Sequence, residues 1–119
     1  MSKELTGIVA EHIRAINASD TDRILSTFTE DAYVNDNRRH IAGLAAIRKW
    51  VEKEVVGDHL TIDVREVQEH RGGIIVRGAY DGTYDKTNLP KELILSSYFQ
   101  LQEAKIVSLI IIFNRPSPY

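Results

Sequence analysis

The spacing of apolar residues changes period once along this chain, and that change restricts the folds open to it. In the first half they recur at helical spacing. Leu5, Ile8, Val9, His12, Ile13 and Ile16 fall on one face of a helix, with Ser2 as a candidate cap. Asn17-Ala18-Ser19 breaks that pattern. Asp20 can cap a second short helix that turns Ile24, Leu25 and Phe28 inward. Ala32 to Asn35 reads as a short strand, followed by the polar turn Asp36-Asn37-Arg38-Arg39. Gly43 punctuates, and a third helix places Leu44, Ile47, Val51 and Val55 on one stripe with Trp50 beside it.

The second half alternates. Leu60, Ile62 and Val64 keep a two-residue period, and Val67 falls out of phase. One extra residue near Arg65-Glu66 accounts for this as a β-bulge. Gly72-Gly73 signals a hairpin into a strand over Ile74 to Asp85. Lys86 to Lys91, with Pro90, reads as a loop. Glu92 to Gln102 and Lys105 to Asn114 read as the last two strands, joined by the tight turn Glu103-Ala104. Pro116 and Pro118 end regular structure. Helices first and antiparallel strands second predict an α+β domain with helices packed on one face of a sheet.

The last strand reads Ile-Val-Ser-Leu-Ile-Ile-Ile-Phe over Ile106 to Phe113, apolar on both faces. Helices can cover only one of them. The expected cover for the other is a second copy of the chain, giving a homodimer through Ile94, Tyr98, Ile106, Ile110 and Ile112. A C-terminal tail folded over the sheet is the alternative, and only five residues follow Asn114.

The remaining bulk properties exclude several classes. A length of 119 residues suits one domain, spanning 1–119. The net charge is −2 and no basic cluster exceeds Arg38-Arg39, which argues against nucleic-acid binding. No apolar run approaches the ~20 residues of a membrane span, and the start shows no apolar leader. With no cysteine, thiolate metal sites and cysteine nucleophiles are ruled out, and the cytoplasm is the expected compartment. His40, His59 and His70 lack metal-ligand spacing. No glycine-rich phosphate loop is present either, so neither metal nor cofactor is expected.

Three segments together resemble one superfamily. They are Ala15-Ile16-Asn17-Ala18-Ser19-Asp20-Thr21-Asp22 with Phe28-Thr29-Glu30-Asp31-Ala32, then Gly43-Leu44-Ala45-Ala46-Ile47-Arg48-Lys49-Trp50, then Tyr98-Phe99-Gln100-Leu101 with Ala104-Lys105-Ile106-Val107. Their order and spacing are similar to nuclear transport factor-like domains, especially the ketosteroid isomerase and SnoaL-like polyketide cyclase branches. The resemblance implies a cone-shaped fold: three N-terminal helices on a strongly curved, mainly antiparallel sheet, with a deep pocket for a small apolar molecule. Gly78 and Gly82, read within a strand, fit that curvature. The fold hosts isomerases, cyclases, hydrolases, dehydratases and plain binding modules, so it does not fix a reaction.

The resemblance also places candidate site residues. Asp36 stands where ketosteroid isomerase keeps its general-base aspartate. A carboxylate beside an apolar pocket can shuttle a proton on a carbonyl-bearing substrate. Asp36 read from its neighbours alone is equally an Asx-turn residue. His12 matches the position of an oxyanion-hole tyrosine, where a neutral imidazole can donate to a substrate oxygen. A core histidine bonded to a neighbour is the other reading. Ser97 matches the second oxyanion position, an aspartate in the isomerase; the acid is gone, which argues against the known steroid route. Asn114 stands where many SnoaL-like domains carry an acid, and it can orient a ligand oxygen or simply end a strand. Tyr33, Trp50, Phe99, Leu109, Ile111 and Phe113 are candidate pocket walls. If Ser97 faces the pocket, so do Leu95, Phe99 and Leu101, while Tyr98 and Gln100 face away. Asp81 and Asp85 share strand parity, as a paired-carboxylate site requires, although a solvated strand end explains them too. Two functions stay in contention: a proton-moving isomerase or cyclase using Asp36 and His12, and a non-catalytic dimeric module that binds a hydrophobic ligand or another protein.

Overall fold

A computed structural model describes residues 5–87 and 89–113. The candidate cap Ser2 and the candidate ligand residue Asn114 lie outside the described residues. Helices α1 (Gly7–Asn17) and α2 (Thr21–Ser26) lead into strands β1 (Phe28–Asp36) and β2 (Arg39–Ala42). Helix α3 (Leu44–Trp50) continues into a π-helical turn (Val51–Val55). Strands β3 (Thr61–His70), β4 (Gly73–Asp81), β5 (Leu93–Gln102) and β6 (Lys105–Phe113) follow. One six-stranded sheet has the order β2-β1-β6-β5-β4-β3. All pairings are antiparallel except β1 with β6. This is the expected α+β class, a few helices packed on a mostly antiparallel curved sheet.

Local chemistry sets most of the boundaries. Asp20 caps α2 as expected, its Oδ1 accepting from the Arg23 N–H at 3.2 Å. The hairpin turns Asn37-Arg38, Arg71-Gly72 and Glu103-Ala104 place both central residues at positive φ. That backbone matches the right-handed twist of the flanking strands. The first of these turns opens a strand, β2, where a polar turn alone was expected. Gly72-Gly73 is displaced by one: Gly72 is in the turn, and Gly73 already pairs with Gln100 in the sheet. Gly82 lies past the end of β4, not within a strand.

Two irregularities shape the concave face. Arg65 bulges out of β3 between the pairs Val64–Gly78 and Glu66–Arg77, which restores the inward phase of Val67. The pairing of β5 with β6 also slips, from Gln100–Ser108 to Leu101–Ile106. Ile106 is thereby turned inward and fully buried. That corrects its expected place on the outer face: the extra residue in β6 reverses the parity read from the sequence.

The core fills the space between helices and concave face. Val9, Ile13, Ile24, Ile47 and Val51 from the helical layer meet Val34, Val76, Phe99 and Leu109 from the sheet. Asn17, at the end of α1, adds a polar tie to the edge strand β3. Its Oδ1 accepts from the Ile62 N–H at 2.7 Å and its Nδ2 donates to the Ile62 carbonyl at 3.1 Å.

The bulge brings backbone close to Gly78. A Cβ there would lie 2.9 Å from Ile62 Cγ2 and 3.1 Å from the Asp63 carbonyl oxygen. Gly78→Ala is therefore expected to destabilise the fold by about 1–3 kcal/mol through overpacking. Urea unfolding checks this, and an unchanged or raised midpoint refutes it.

Candidate functional site

Helix α1 carries His12 into the core, where it is 1% exposed. Phe28 and Phe99 meet its ring edge-on, at centroid distances of 5.3 and 5.5 Å. Its Nδ1 lies 2.9 Å from Thr27 Oγ1. The Thr27 hydroxyl already donates its only proton to the Ile24 carbonyl, at 2.6 Å. Thr27 therefore accepts from His12, so Nδ1 carries the proton and Nε2 carries the lone pair. Burial pushes the imidazole down to about 4, because a charged ring is poorly solvated there.

Two chambers lie side by side under the sheet. The inner one, about 20 Å³, is bordered by His12, Phe99, Ser97, Tyr80, Leu109 and Ile111. It has room for about one water molecule. The outer one, about 230 Å³, opens toward the surface past Leu60, Leu89, Leu93, Leu95 and Asp36. Trp50, Val55, Leu60, Tyr80 and Ile111 border both. The π-helical turn makes this possible. Residues five apart on an α-helix diverge by about 140°. The wider turn, closed by Val56 N–H on the Val51 carbonyl at 2.8 Å, brings Trp50 and Val55 to one wall.

Asp36 ends β1 at the outer chamber, with its side chain 23% exposed. Trp50 Nε1 donates to its Oδ2 at 3.1 Å, and Arg39 donates to the same oxygen at 2.5 Å. Among the described residues nothing engages Oδ1. Arg39 also makes a two-bond pair with Glu54, at 2.6 and 2.8 Å, which ties β2 to the π-helical turn. That hydrogen bonding holds Glu54 below the usual carboxylate range and raises Arg39.

Two strands from Asp36, across Ile111, Ser97 Oγ lies 3.1 Å from the Tyr80 hydroxyl. Tyr80 is half-buried as a residue, but its hydroxyl is the enclosed end. Burial pushes it up to about 12, and the negative charge of Asp36 adds to this while the Ser97 bond opposes it. The phenol thus stays protonated at neutral pH.

Seven of the ten residues singled out in the sequence border these chambers: His12, Asp36, Trp50, Ser97, Phe99, Leu109 and Ile111. Tyr33 does not. Its neighbours Ala32 and Val34 are fully buried, so alternation turns Tyr33 to the outer face, where its hydroxyl bonds His40 Nδ1. Phe113 lies two residues past Ile111 at the end of β6 and borders a groove with Asn35, Asn37 and Arg38 instead. Asp81 and Asp85 do not converge. Asp81 pairs with Lys86 at 2.7 Å, and Asp85 caps the Thr87 N–H at 2.9 Å, both exposed. Among the described residues no cluster of histidine and acidic side chains fits a metal ion, and no helix is long and apolar enough to cross a membrane. Three residues of the site were missed. Tyr80 was legible by parity with Ile74, Val76 and Gly78. Thr27 and Arg39 act through partners 15 positions away, which periodicity does not show.

Helices capping a curved sheet around a two-chambered apolar cavity define a cone-shaped domain of the nuclear transport factor-like class. The chain belongs to the SnoaL-like domain family, whose model matches residues 9–109. Its structure is similar to a candidate polyketide cyclase from Sinorhizobium meliloti, with 24% identity, a TM-score of 0.79, and coverage of 90% of this chain and 94% of that one. It is also similar to SalBIII, described as an epoxide hydrolase/cyclase-like enzyme in pyran ring formation in the polyether salinomycin. There the identity is 27%, the TM-score 0.79 and the coverage 90% and 88%. A candidate ketosteroid isomerase from Kribbella flavida aligns at a TM-score of 0.76 with 8% identity, over 94% of this chain and 78% of that one. No curated protein matches the chain at a significant level.

The neutral His12 sets a pH dependence. The unfolded chain takes up a proton below about 6.5, and the folded chain does so only near 4. Stability is therefore lost as pH falls from 6.5 to about 4, by about 3 kcal/mol at ~1.36 kcal/mol per pH unit. Urea unfolding across this range checks it. His12→Gln does not titrate, so its curve should lack this component. Parallel curves for the two proteins contradict it.

Proposed function

We propose that this SnoaL-like domain binds a small apolar molecule and moves a proton on it, in the manner of an isomerase or cyclase, with Asp36 as general base. One observation carries this reading: among the described residues both donors on Asp36 converge on Oδ2, leaving Oδ1 without a donor on a residue that borders the outer chamber. A base needs a fixed carboxylate with one oxygen free to take the proton. Trp50 and Arg39 supply the fixing. The chamber beside it is apolar, lined by Leu93, Leu95 and Ile111, and suits a small ring. The likeness to a cyclase-type enzyme of ring formation supports the same class of chemistry.

The test uses hydrogen isotope exchange. Cyclic ketones incubated with the protein in D₂O should take up deuterium beside the carbonyl, read by NMR. Asp36→Asn keeps the shape and removes the acceptor. It should bind the same ketones and exchange them about 10²–10⁴-fold more slowly. Equal exchange by both proteins would place the base elsewhere.

A homodimer through the outer sheet face is our second proposal, and two exposures favour it. Tyr98 is 39% and Ile112 43% exposed, beside the half-buried Ile110 and Ile94. Apolar side chains gathered on one face favour a matching copy. Light scattering should return a two-chain mass at micromolar concentration, and Ile112→Lys should shift it to one chain. A one-chain mass for the unmodified protein rejects the dimer.

A further inference from the structure

The inner chamber has a polarity that the resemblance to ketosteroid isomerase does not imply. The sequence left His12 two readings, a donor to a substrate oxygen or a core histidine bonded to a neighbour. Its only proton is committed to a neighbour, Thr27 Oγ1, because Thr27 spends its own on the Ile24 carbonyl. Nε2 is left with a lone pair and makes no hydrogen bond to any described residue. Among the described residues, every enclosed side-chain nitrogen or oxygen has a partner. Nε2 therefore borders open space, and the space that His12 borders is the inner chamber.

The same chamber offers one donor. Tyr80 and Ser97 share one hydrogen bond between two hydroxyls, so one hydroxyl proton is always left over, whichever way the bond runs. The chamber thus presents one acceptor and one spare donor in a volume of about 20 Å³. A hydroxyl group matches both roles and that size. A carbonyl oxygen matches the donor only and leaves Nε2 buried without a proton.

We propose that the inner chamber is a hydroxyl-recognition site, so that the ligand of this domain is a small apolar alcohol or phenol. Its hydroxyl donates to His12 Nε2 and accepts from the Tyr80–Ser97 pair. Its apolar body lies in the outer chamber between Trp50 and Leu95. Thr27 is the positioning residue that holds the imidazole in this tautomer. The inference rests on the small-molecule reading of the cavity and names the ligand class. It places the anchoring hydroxyl at the closed end, and the carbonyl with its exchanging carbon belongs to the part of the same molecule that lies beside Asp36.

A matched pair of probes tests it: 2-indanol and 2-indanone, equal in size and differing only at the oxygen. Calorimetric titration should show 2-indanol binding on the order of tenfold tighter, since an unpaired buried acceptor weakens the ketone complex. His12→Phe should abolish the preference. Thr27→Val, a milder change, frees Nδ1 to lose its proton and should reduce it. Nitrogen NMR of the unliganded protein should show Nε2 as the unprotonated nitrogen of His12. Equal or inverted affinities, no binding of either probe, a preference that survives His12→Phe, or a protonated Nε2 would each overturn the proposal. Deuterium exchange by Asp36 is a separate readout. Lost exchange with an intact alcohol preference removes the proton-transfer reading alone, and a lost preference with intact exchange removes this inference alone.

Discussion

The concave side of a six-stranded sheet must be covered here by helices of eleven, six and seven residues. That mismatch in area governs the rest of the molecule. Apolar side chains close most of the gap around Phe99, Ile24 and Ile47. The remainder stays open as the two chambers. Curvature sets where they lie. The Arg65 bulge and the close approach at Gly78 bend the sheet toward the helices, and the π-helical turn rotates Val55 onto the wall beside Trp50. A regular helix over the same residues would have pointed one of the two elsewhere.

An open space in a core must not leave its polar groups unmatched. Three polar sites on this wall are each anchored within the protein. Asp36 is held through Oδ2 by Trp50 and Arg39, His12 through Nδ1 by Thr27, and the Tyr80 and Ser97 hydroxyls hold each other. Anchoring fixes orientation, and Asp36, His12, Tyr80 and Ser97 all border the cavity. Such a wall is preorganised: a ligand entering it meets groups whose ordering has already been completed by folding. The Arg39–Glu54 pair extends the same logic outward by binding the β1–β2 hairpin to the helical layer at the chamber mouth.

Much of this was legible from residue order. The period change separated helices from strands, the phase slip at Val67 located the first bulge, and Asp20 was recognised as a cap. Alternation along β5 correctly put Ser97 and Phe99 inside and Tyr98 outside. It failed where a second slip intervened. The extra residue in β6 turned Ile106 inward, and the pair Ile106-Val107 did not mark the change, because two adjacent apolar residues read the same in either phase. Tyr33 lies on the outer face because the fully buried Ala32 and Val34 on either side of it set the parity of β1.

The sequence by itself determined the α+β layering, the turns, the caps and the inward face of most elements. Those follow from neighbours within a few positions, where periodicity and turn chemistry act. Only the tertiary structure decided the polarity of the site. Which nitrogen of His12 carries the proton depends on Thr27, 15 positions away, and on the carbonyl that Thr27 itself bonds. Which oxygen of Asp36 is open depends on Trp50, 14 positions away. A hydrogen bond is a property of a pair at contact distance. Residues so far apart in the chain reach that distance only once helices and sheet have closed on one another.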